Sequence, residues 1–449
     1  MKRALIRSLR FVLRRLARLT LWRYRPGIVG VTGSAGKTST KYAIKAVLEG
    51  GRRVRVSEGN LNNDLGLPLA ILGDWSPKQL RLISRAQPPG TARLAKAAFW
   101  IRVIVGSAWR ILVKSGGYPE ILVLEYGADR PGDIKYLLQI ARPNVSVITA
   151  VGDVPVHVEF YPGPPEVARE KGRLIEYLTS EGYAVLNGDD ELVRALQSRT
   201  RAHVMTFGFS RGTEMRASRF ENKIDAEGQP VGISFKLEYG GGVVPVRIPG
   251  VFGRAHAYSA AAAAAVGVVF GMNLVAISEA LTRYRPPASR MQVLAGDKQS
   301  WIIDDSYNAS PIAMQSALEA LGDLPAKRRV AVLGDMLEIG KYTMETHERM
   351  GRLAAEKADI LVTVGTRAKF LAEAAVAARM RRERVMSFDT AEQAAKPVRD
   401  LLKKGDVVLV KGSHAIGLHD VVREIRAHGP AVASRPPSSS VAPNRNIGL

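Results

Sequence analysis

A glycine-rich segment near the start of the chain has the residue types of a phosphate-binding loop. It reads Gly33-Ser34-Ala35-Gly36-Lys37-Thr38-Ser39 and lies between a short apolar strand and a helix pattern. Glycines let backbone N–H groups close around phosphate oxygens, and the N-terminus of the following helix adds positive potential. The Lys37 ammonium would reach the outer phosphates, and the Thr38 hydroxyl can hold Mg²⁺. We therefore predict a nucleotide site, with a short loop because Val31 stands where the general pattern has its first glycine.

A second candidate is the carboxylate Glu125, which ends an apolar stretch predicted to be a strand over residues 121–126. Ligand sites of parallel sheets lie at the carboxyl ends of the strands, so Glu125 can be a Mg²⁺ ligand. The alternative is an ordinary surface acid, because strand ends face solvent. Residue types alone give little weight to His157 and Lys171, since lone histidines are more often structural and helix lysines are usually solvated.

Alternating strand and helix patterns position these residues. Apolar strands are predicted at residues 28–32, 121–126 and 145–150, with helix patterns between and after them. This alternation indicates a mostly parallel sheet covered by helices. Residues 214–248 break the alternation with period-two stretches, which predict antiparallel strands. We expect one central α/β domain over residues 27–285, built as a P-loop ATPase.

A second α/β unit is predicted after the sequence Arg285-Pro286-Pro287. Its five apolar strands alternate with helix patterns, which is typical of a doubly wound, Rossmann-like domain with its own core. We expect this domain over residues 286–428. The remaining residues, 429–449, are rich in Pro and Ser and are predicted to form a disordered tail.

Composition and charge exclude several classes of protein. The chain of 449 residues is 46% hydrophobic and 24% charged, which excludes a largely disordered chain and a multi-span membrane protein. It has no cysteine, so disulfide scaffolds, thiolate nucleophiles and cysteine zinc sites are excluded. The net charge of +23 is concentrated in residues 1–25, with nine basic residues, and 77–119, with eight; neither segment contains an acid. Apolar residues between these charges favour an anionic membrane surface or substrate over nucleic acid.

The first 25 residues predict one basic amphipathic helix. Its apolar face at helical spacing would consist of Leu5, Leu9, Val12, Leu16 and Leu19. One interpretation is a helix lying on a membrane surface; the other is a helix that packs against the body of the protein. The apolar part of the 77–119 insertion allows the same two interpretations.

Six motifs together resemble the Mur ligase family, most closely its MurF members. They are the phosphate loop and residues 59–68, 124–134, 304–311, 333–340 and 411–413. The resemblance covers about residues 28–425 and implies an ATP- and Mg²⁺-dependent ligase. Such an enzyme joins D-Ala-D-Ala to a UDP-MurNAc-peptide-like acceptor through an acyl phosphate, during peptidoglycan precursor synthesis. The alternatives are a folate- or cyanophycin-type amide ligase, and a membrane-associated nucleotide-binding protein whose ligase activity has lapsed.

The resemblance also implies roles for individual residues. Mg²⁺ would be held by Thr38, Glu125, His157 and a carbamylated Lys171, and Lys411 would meet the substrate or the acyl phosphate. Lys37, His157, Lys171 and Lys411 are thus the implied catalytic residues. The nucleotide would contact the phosphate loop and a further set from the second domain: Arg290 at a phosphate, Asp304 or Asp305 at the ribose, and Tyr307 and Asn308 beside them.

Four departures from the family pattern stand out. Ala150 and Ala257 each replace an asparagine, and His414 replaces an arginine. About 26 residues precede the loop strand, which is too few for the domain that grips the UDP-sugar in MurF. We expect a cytoplasmic enzyme that acts on an anionic peptide or nucleotide-sugar, and we do not expect nucleic acid as a partner. If residues 1–25 bind the membrane, the enzyme would be held at its inner face.

Overall fold

The computed structural model of the protein describes residues 2–57, 59–83, 93–113, 116–225 and 230–427. Two sheets, each covered by helices, organise these residues. The predicted tail at residues 429–449 and part of the 77–119 insertion lie outside the described residues. None of the helices in the described ranges has the length and hydrophobicity of a membrane span.

The first sheet has nine strands in the described part of the chain, in the order β2-β3-β1-β4-β5-β6-β7-β8-β9. Pairing is parallel from β2 to β7, and β7, β8 and β9 form the antiparallel extension predicted for residues 214–248. The strands are β1 Gly27–Thr32, β2 Val54–Val56, β3 Ile121–Glu125, β4 Val145–Ile148, β5 Tyr183–Asn187, β6 His203–Gly208, β7 Met215–Ile224, β8 Pro230–Tyr239 and β9 Gly242–Pro249.

The helices of this first unit follow the strands in chain order. They are α1 Lys2–Tyr24, α2 Lys37–Leu48, α3 Gly66–Leu72, α4 Pro77–Ile83, α5 Arg93–Leu112, α6 Asp133–Leu138, α7 Pro164–Glu176, α8 Glu191–Arg194, α9 Arg254–Val269 and α10 Leu274–Thr282. The alanine run of α9 is fully buried and packs against α2. Alanine side chains permit this close approach, which fixes the helix that begins at the phosphate loop.

The second sheet has six strands in the described ranges, in the order β10-β11-β15-β12-β13-β14. Only the edge strand β10 is antiparallel to its neighbour. The strands are β10 Gln292–Ala295, β11 Trp301–Asp305, β12 Arg328–Gly334, β13 Ile360–Val364, β14 Val385–Phe388 and β15 Asp406–Lys411. The helices are α11 Pro311–Gly322, α12 Thr343–Lys357, α13 Ala368–Ala377, α14 Ala391–Leu401 and α15 His419–Ile425. The predicted α/β class with two sheets is thus confirmed.

Helix α1 forms as predicted, and its predicted apolar face is turned mainly toward the protein. Leu13 and Ala17 are fully buried, and Leu9 and Leu16 pack partly buried against the same cluster. Contacts with α3 and α5 provide this cover. Of the two interpretations of this face, packing against the body of the protein describes most of it: only Leu19 of its described members is an exposed side chain, because α3 and α5 supply apolar surface that burial favours over solvent.

Candidate active site

A cavity of about 820 Å³ lies between the two units. It collects fourteen of the sixteen predicted site residues, all except Gly33 and Asp304. From the first unit these are Ser34, Ala35, Gly36, Lys37, Thr38, Ser39, Glu125, His157 and Lys171, and from the second Arg290, Asp305, Tyr307, Asn308 and Lys411. Residues separated by almost four hundred positions therefore face one space.

The phosphate loop is held open by two glycine conformations that other residues rarely adopt. Gly33 has φ +148°, and a Cβ there would lie 2.0 Å from the Thr149 hydroxyl oxygen. Gly36 has φ +81° and caps the start of α2. The buried Ser34 hydroxyl has no hydrogen-bond partner among the described residues. Free polar groups in a cradle that excludes side chains fit a bound phosphate.

Lys37 is folded onto this loop, where its ammonium donates to the Gly33 carbonyl at 2.8 Å. Burial lowers the pKa of Lys37, although the Glu125 carboxylate opposes the shift. A partly desolvated cation at the start of a helix is a strong partner for phosphate oxygens. The loop therefore concentrates positive charge where the sequence predicts nucleotide phosphates.

Glu125 is buried at the end of β3, as its position in the sequence indicates. Its Oε2 lies 3.3 Å from both the Lys41 ammonium and the Thr38 hydroxyl, and Asn62 donates to its Oε1 at 3.1 Å. Burial alone would raise the pKa of Glu125, but Lys41, Lys37 and the Asn62 amide outweigh it and hold that pKa below its usual range. Glu125 is thus an anion.

Lys41 and Asn62 are partners that the sequence analysis did not single out. Lys41 follows Lys37 by four positions on α2 and therefore shares its helix face, a signal that the helix prediction already contained. Asn62 lies in the motif at residues 59–68. Both were present in the sequence, but only the fold brings them to Glu125.

The carboxylate of Glu125 and the hydroxyl of Thr38 are hard oxygen ligands of the kind that Mg²⁺ prefers. They fit a Mg²⁺ ion that takes its remaining ligands from water and phosphate. Within the described residues, no group of three or more His, Asp or Glu side chains is arranged to hold a metal.

His157 contacts carboxylates of both units. Its Nε2 lies 3.3 Å from Asp129 Oδ1, and its Nδ1 lies 3.3 Å from Glu338 Oε2. The His157 backbone N–H also donates to the Glu338 carbonyl at 2.7 Å. Burial lowers the pKa of His157 to about 4, although Asp129 opposes the shift. The imidazole is therefore neutral at pH 7 and lies where the two units meet.

Asp129 and Glu338 were also missed as site residues, although both lie in motifs of the resemblance. Burial and the negative charges of Asp129 and Glu159 raise the pKa of Glu338. Glu338 itself has a left-handed backbone, with φ +65°. Strained backbone of this kind is often found at functional sites, so it is a structural signal that the sequence could not give.

Lys171 lies on α7 with its side chain in the cavity wall and 2% of its surface exposed. Burial, aided by the positive charge of Lys37, lowers the pKa of the Lys171 amine to about 7. A neutral amine can react with CO₂, whereas an ammonium cannot. The environment of Lys171 therefore fits a carbamate, the modification that the resemblance implies.

The second unit supplies a buried ion pair. Lys411 at the end of β15 donates to Asp305 Oδ2 at 2.6 Å and to the Asn308 carbonyl at 2.9 Å. The Met291 N–H donates to Asp305 Oδ1 at 3.2 Å. Burial raises the pKa of Asp305, although Lys411 opposes the shift. Both members of the pair line the cavity.

Asp304, the other half of the predicted pair, has a local role in this structure. Ser289 donates to Asp304 Oδ2 at 2.8 Å, and the Ser306 hydroxyl and N–H donate to Oδ1. Successive side chains of a strand point to opposite faces, so only one of the two can reach the cavity. The structure brings Asp305 to it and leaves Asp304 outside.

Arg290 connects the two units. Its Nη2 donates to the Thr38 hydroxyl at 3.2 Å, its guanidinium stacks 4.2 Å from the Tyr307 ring centre, and its Nε has no partner among the described residues. His256 Nε2 lies 3.0 Å from the Arg290 carbonyl, which can only accept, so Nε2 carries the proton. An arginine beside the loop with donors to spare fits a nucleotide phosphate.

Comparisons with known proteins agree with this site. The Mur ligase middle domain matches residues 112–267, and the Mur ligase, glutamate ligase domain matches residues 289–414. The UDP-N-acetylmuramoyl-tripeptide–D-alanyl-D-alanine ligase of Bacillus subtilis (strain 168) is 28% identical over 92% of this chain and 79% of its own length. Its namesake from Mycobacterium tuberculosis (strain ATCC 25618 / H37Rv) is 31% identical over 91% of this chain and 74% of its own.

The fold has similar crystal structures. The structure of MurF ligase from Thermotoga maritima in complex with ADP has a TM-score of 0.73 and 28% identity, and the match covers 92% of this chain and 83% of that one. The family resemblance seen in the motifs is confirmed, as is the prediction of an enzyme that uses ATP. This chain belongs to the Mur ligase family of ATP-dependent, ADP-forming ligases.

Proposed function

We propose that this ligase joins D-alanyl-D-alanine to a UDP-MurNAc-peptide acceptor, and that it requires Mg²⁺. The observation that carries the proposal is the shared cavity, in which a phosphate loop, a buried lysine with a lowered pKa and cations of the second unit face one another. The names of the relatives supply the substrate class.

The reaction has two steps. The terminal phosphoryl group of ATP passes to a carboxylate oxygen of the acceptor, and ADP leaves. The amine of the dipeptide then attacks the acyl carbon; the new C–N bond forms as the C–O bond to phosphate breaks, and the amine loses a proton. Negative charge shifts among the phosphate oxygens in both steps. Fixed positive charge at these oxygens therefore lowers the activation barrier of the reaction.

Residues of both walls would supply that charge. Backbone N–H groups of the loop and Lys37 hold the outer phosphates, while Arg290 and Lys411 approach from the second unit. Asp305 would bind the ribose, with Tyr307 beside it. Thr38 and Glu125 would hold Mg²⁺, with His157 and a carbamate on Lys171 at a second ion. Bound Mg²⁺ neutralises phosphate charge.

Purified protein tests this function in an ADP-release assay with UDP-MurNAc-tripeptide and D-Ala-D-Ala. We expect ADP formation that needs both substrates and Mg²⁺, and a product with the mass of the pentapeptide. ADP release with folate and glutamate, but not with these substrates, would identify a folate-type ligase. Nucleotide binding without turnover on any acceptor would mean that the activity has lapsed, as the replacements Ala150, Ala257 and His414 allow.

We also propose the chain divisions that the sequence predicts: 1–26, 27–285, 286–428 and the tail 429–449. ATP and nucleotide-linked precursors are cytoplasmic, so the reaction belongs in the cytoplasm. Basic charge at residues 1–25 supports an additional position at the inner membrane face.

A further inference from the structure

Helix α5 has an apolar stripe that the rest of the described chain leaves uncovered. The stripe consists of Leu94, Ala98, Ile101, Val105, Trp109 and Leu112, at the three- and four-residue spacing of one helix face. Leu94 is 87% exposed and Trp109 64% exposed. The opposite face holds Phe99 and Val103, which are buried against the body of the protein. The α5 stripe is therefore additional to the surface that anchors the helix.

The outer face of α1 extends this surface. Phe11, Leu19 and Trp22 are exposed there. The C-terminal ends of the two helices meet, since Arg23 Nε donates to the Ile111 carbonyl at 3.3 Å and the Tyr24 hydroxyl to the Arg110 carbonyl at 2.7 Å. Trp22 and Trp109 each neighbour a residue of this junction. Ten of the seventeen large exposed apolar side chains of the described residues lie on α1, on α5 or at Val113 directly after α5.

The charge around this surface is predominantly positive. Helices α1, α4 and α5 contain no acidic residue. Arg15 and Arg18 lie on the outer face of α1 beside Phe11, and the Arg15 guanidinium is 5.3 Å from the Phe11 ring centre. Arg14 and Arg18 also line a cleft of about 430 Å³ with Arg142. One acid contacts α1, since Asp64 pairs with Arg10 at 2.8 Å. Apolar side chains bordered mainly by cations are complementary to anionic headgroups above an acyl layer.

We propose that the α5 stripe and the outer face of α1 bind the surface of an anionic phospholipid bilayer, with α5 lying in the plane of the interface. The stripe spans eighteen residue steps, or about 27 Å of helix. Tryptophans at its end are favoured at the boundary between headgroups and acyl chains. A second copy of the chain is a poorer occupant, because it would bring the same cations face to face.

The junction end of this surface lies away from the cavity. The junction of α1 and α5 leads directly into the first residues of β1 and, through residues 113–120, of β3. The phosphate loop and Glu125 lie at the opposite, carboxyl ends of these strands. The junction therefore lies at the end of these strands opposite the cavity.

Vesicle flotation of the full chain tests the proposal with phosphatidylglycerol–phosphatidylcholine vesicles and with pure phosphatidylcholine vesicles. We expect binding to the anionic vesicles that weakens at high salt. The variant Ile101→Ser/Val105→Ser/Trp109→Ser should lose about tenfold or more in vesicle affinity. Arg15→Gln/Arg18→Gln should weaken binding to anionic vesicles alone. Substitution is preferable to deletion of α1, because Leu13 and Ala17 belong to the core.

A matched control keeps the number of exposed apolar residues equal. Val243→Ser/Val275→Ser/Met344→Ser removes three side chains of similar exposure elsewhere and should float as the wild type does. ADP release and melting temperature should be unchanged in all variants, so loss of flotation is separable from failure of the proposed ligase function. A wild type that stays unbound, or a stripe variant that floats equally, overturns the proposal. If the wild type is a dimer that does not bind vesicles and the stripe variant is a monomer, the surface would be assigned to contact with a second copy of the chain.

Discussion

The phosphate-loop wall of the cavity has its buried ion pair inside one unit, whereas the wall around His157 has contacts across the boundary between two. The Lys41–Glu125 ion pair is almost fully buried, with side-chain exposures of 0% and 2%. The partners of His157 are open to solvent, since Asp129 is 66% exposed and Glu338 48% exposed. The ion pair of the first wall is complete within one unit, whereas the contacts of the second wall need residues of both units.

The difference has energetic consequences. Breaking a buried ion pair leaves an uncompensated charge and costs several kcal/mol, whereas solvent-exposed pairs contribute about 0–1 kcal/mol. Substitutions in the first wall should therefore affect phosphate binding or stability strongly. Substitutions in the second should act mainly on chemistry and on pH dependence.

The largest effect is expected for Lys37→Ala. It removes the cation that meets the outer phosphates, and ADP release should fall by about 1000-fold or more. Lys45→Ala, on the exposed side of the same helix, is the control and should keep its activity. Melting temperatures should agree between the two variants. Turnover of Lys37→Ala within a few-fold of the wild type would contradict the assignment of the loop.

Lys41→Met tests the buried pair itself. The variant keeps the length of the side chain but leaves Glu125 without its closest cation, so the free energy of unfolding in urea should fall by about 3 kcal/mol at pH 7. The loss should shrink under acid conditions that protonate Glu125. Asp129→Asn, which removes a charge from the open wall, should cost less than about 1 kcal/mol. Equal losses in the two variants would remove the distinction between the walls.

Lys171→Ala should reduce ADP release by about 100-fold, because the carbamate would supply an anion to a metal site. Acetate or formate should restore part of the activity, whereas neither should affect the Lys37→Ala variant. Arg169→Ala, on the solvent side of the same helix, is the matched control. The pKa of about 7 also predicts that bicarbonate stimulates the wild type more as pH rises through 7, since the neutral amine is the reactive form. Full activity of Lys171→Ala without added acid would exclude this role.

The two walls also differ in how far the sequence predicts them. The phosphate loop is one contiguous segment, so its residue types and spacing are sufficient to predict phosphate binding. Asp129 and Glu338 are separated by more than two hundred positions, and no periodicity links them to His157. Asp304 and Asp305 are chemically equal in the sequence, and only the direction of β11 decides which one reaches the cavity. For α1, helical spacing predicts an apolar face, but it does not determine whether that face packs against the protein or against lipid.

The smallest effect concerns His157 and the dependence of stability on pH. Its folded-state pKa of about 4 lies below the ordinary value of 6.5. Between these values the unfolded chain binds more protons, so stability falls as pH drops from 6.5 toward 4. His157→Asn removes this titration, and asparagine tolerates the left-handed backbone at φ +66°. The decrease in unfolding free energy over this window should be smaller than in the wild type, by at most about 3 kcal/mol. The control His419→Asn changes an exposed histidine and should keep the wild-type slope, and an unchanged slope in His157→Asn would mean that the imidazole is not buried between the two units.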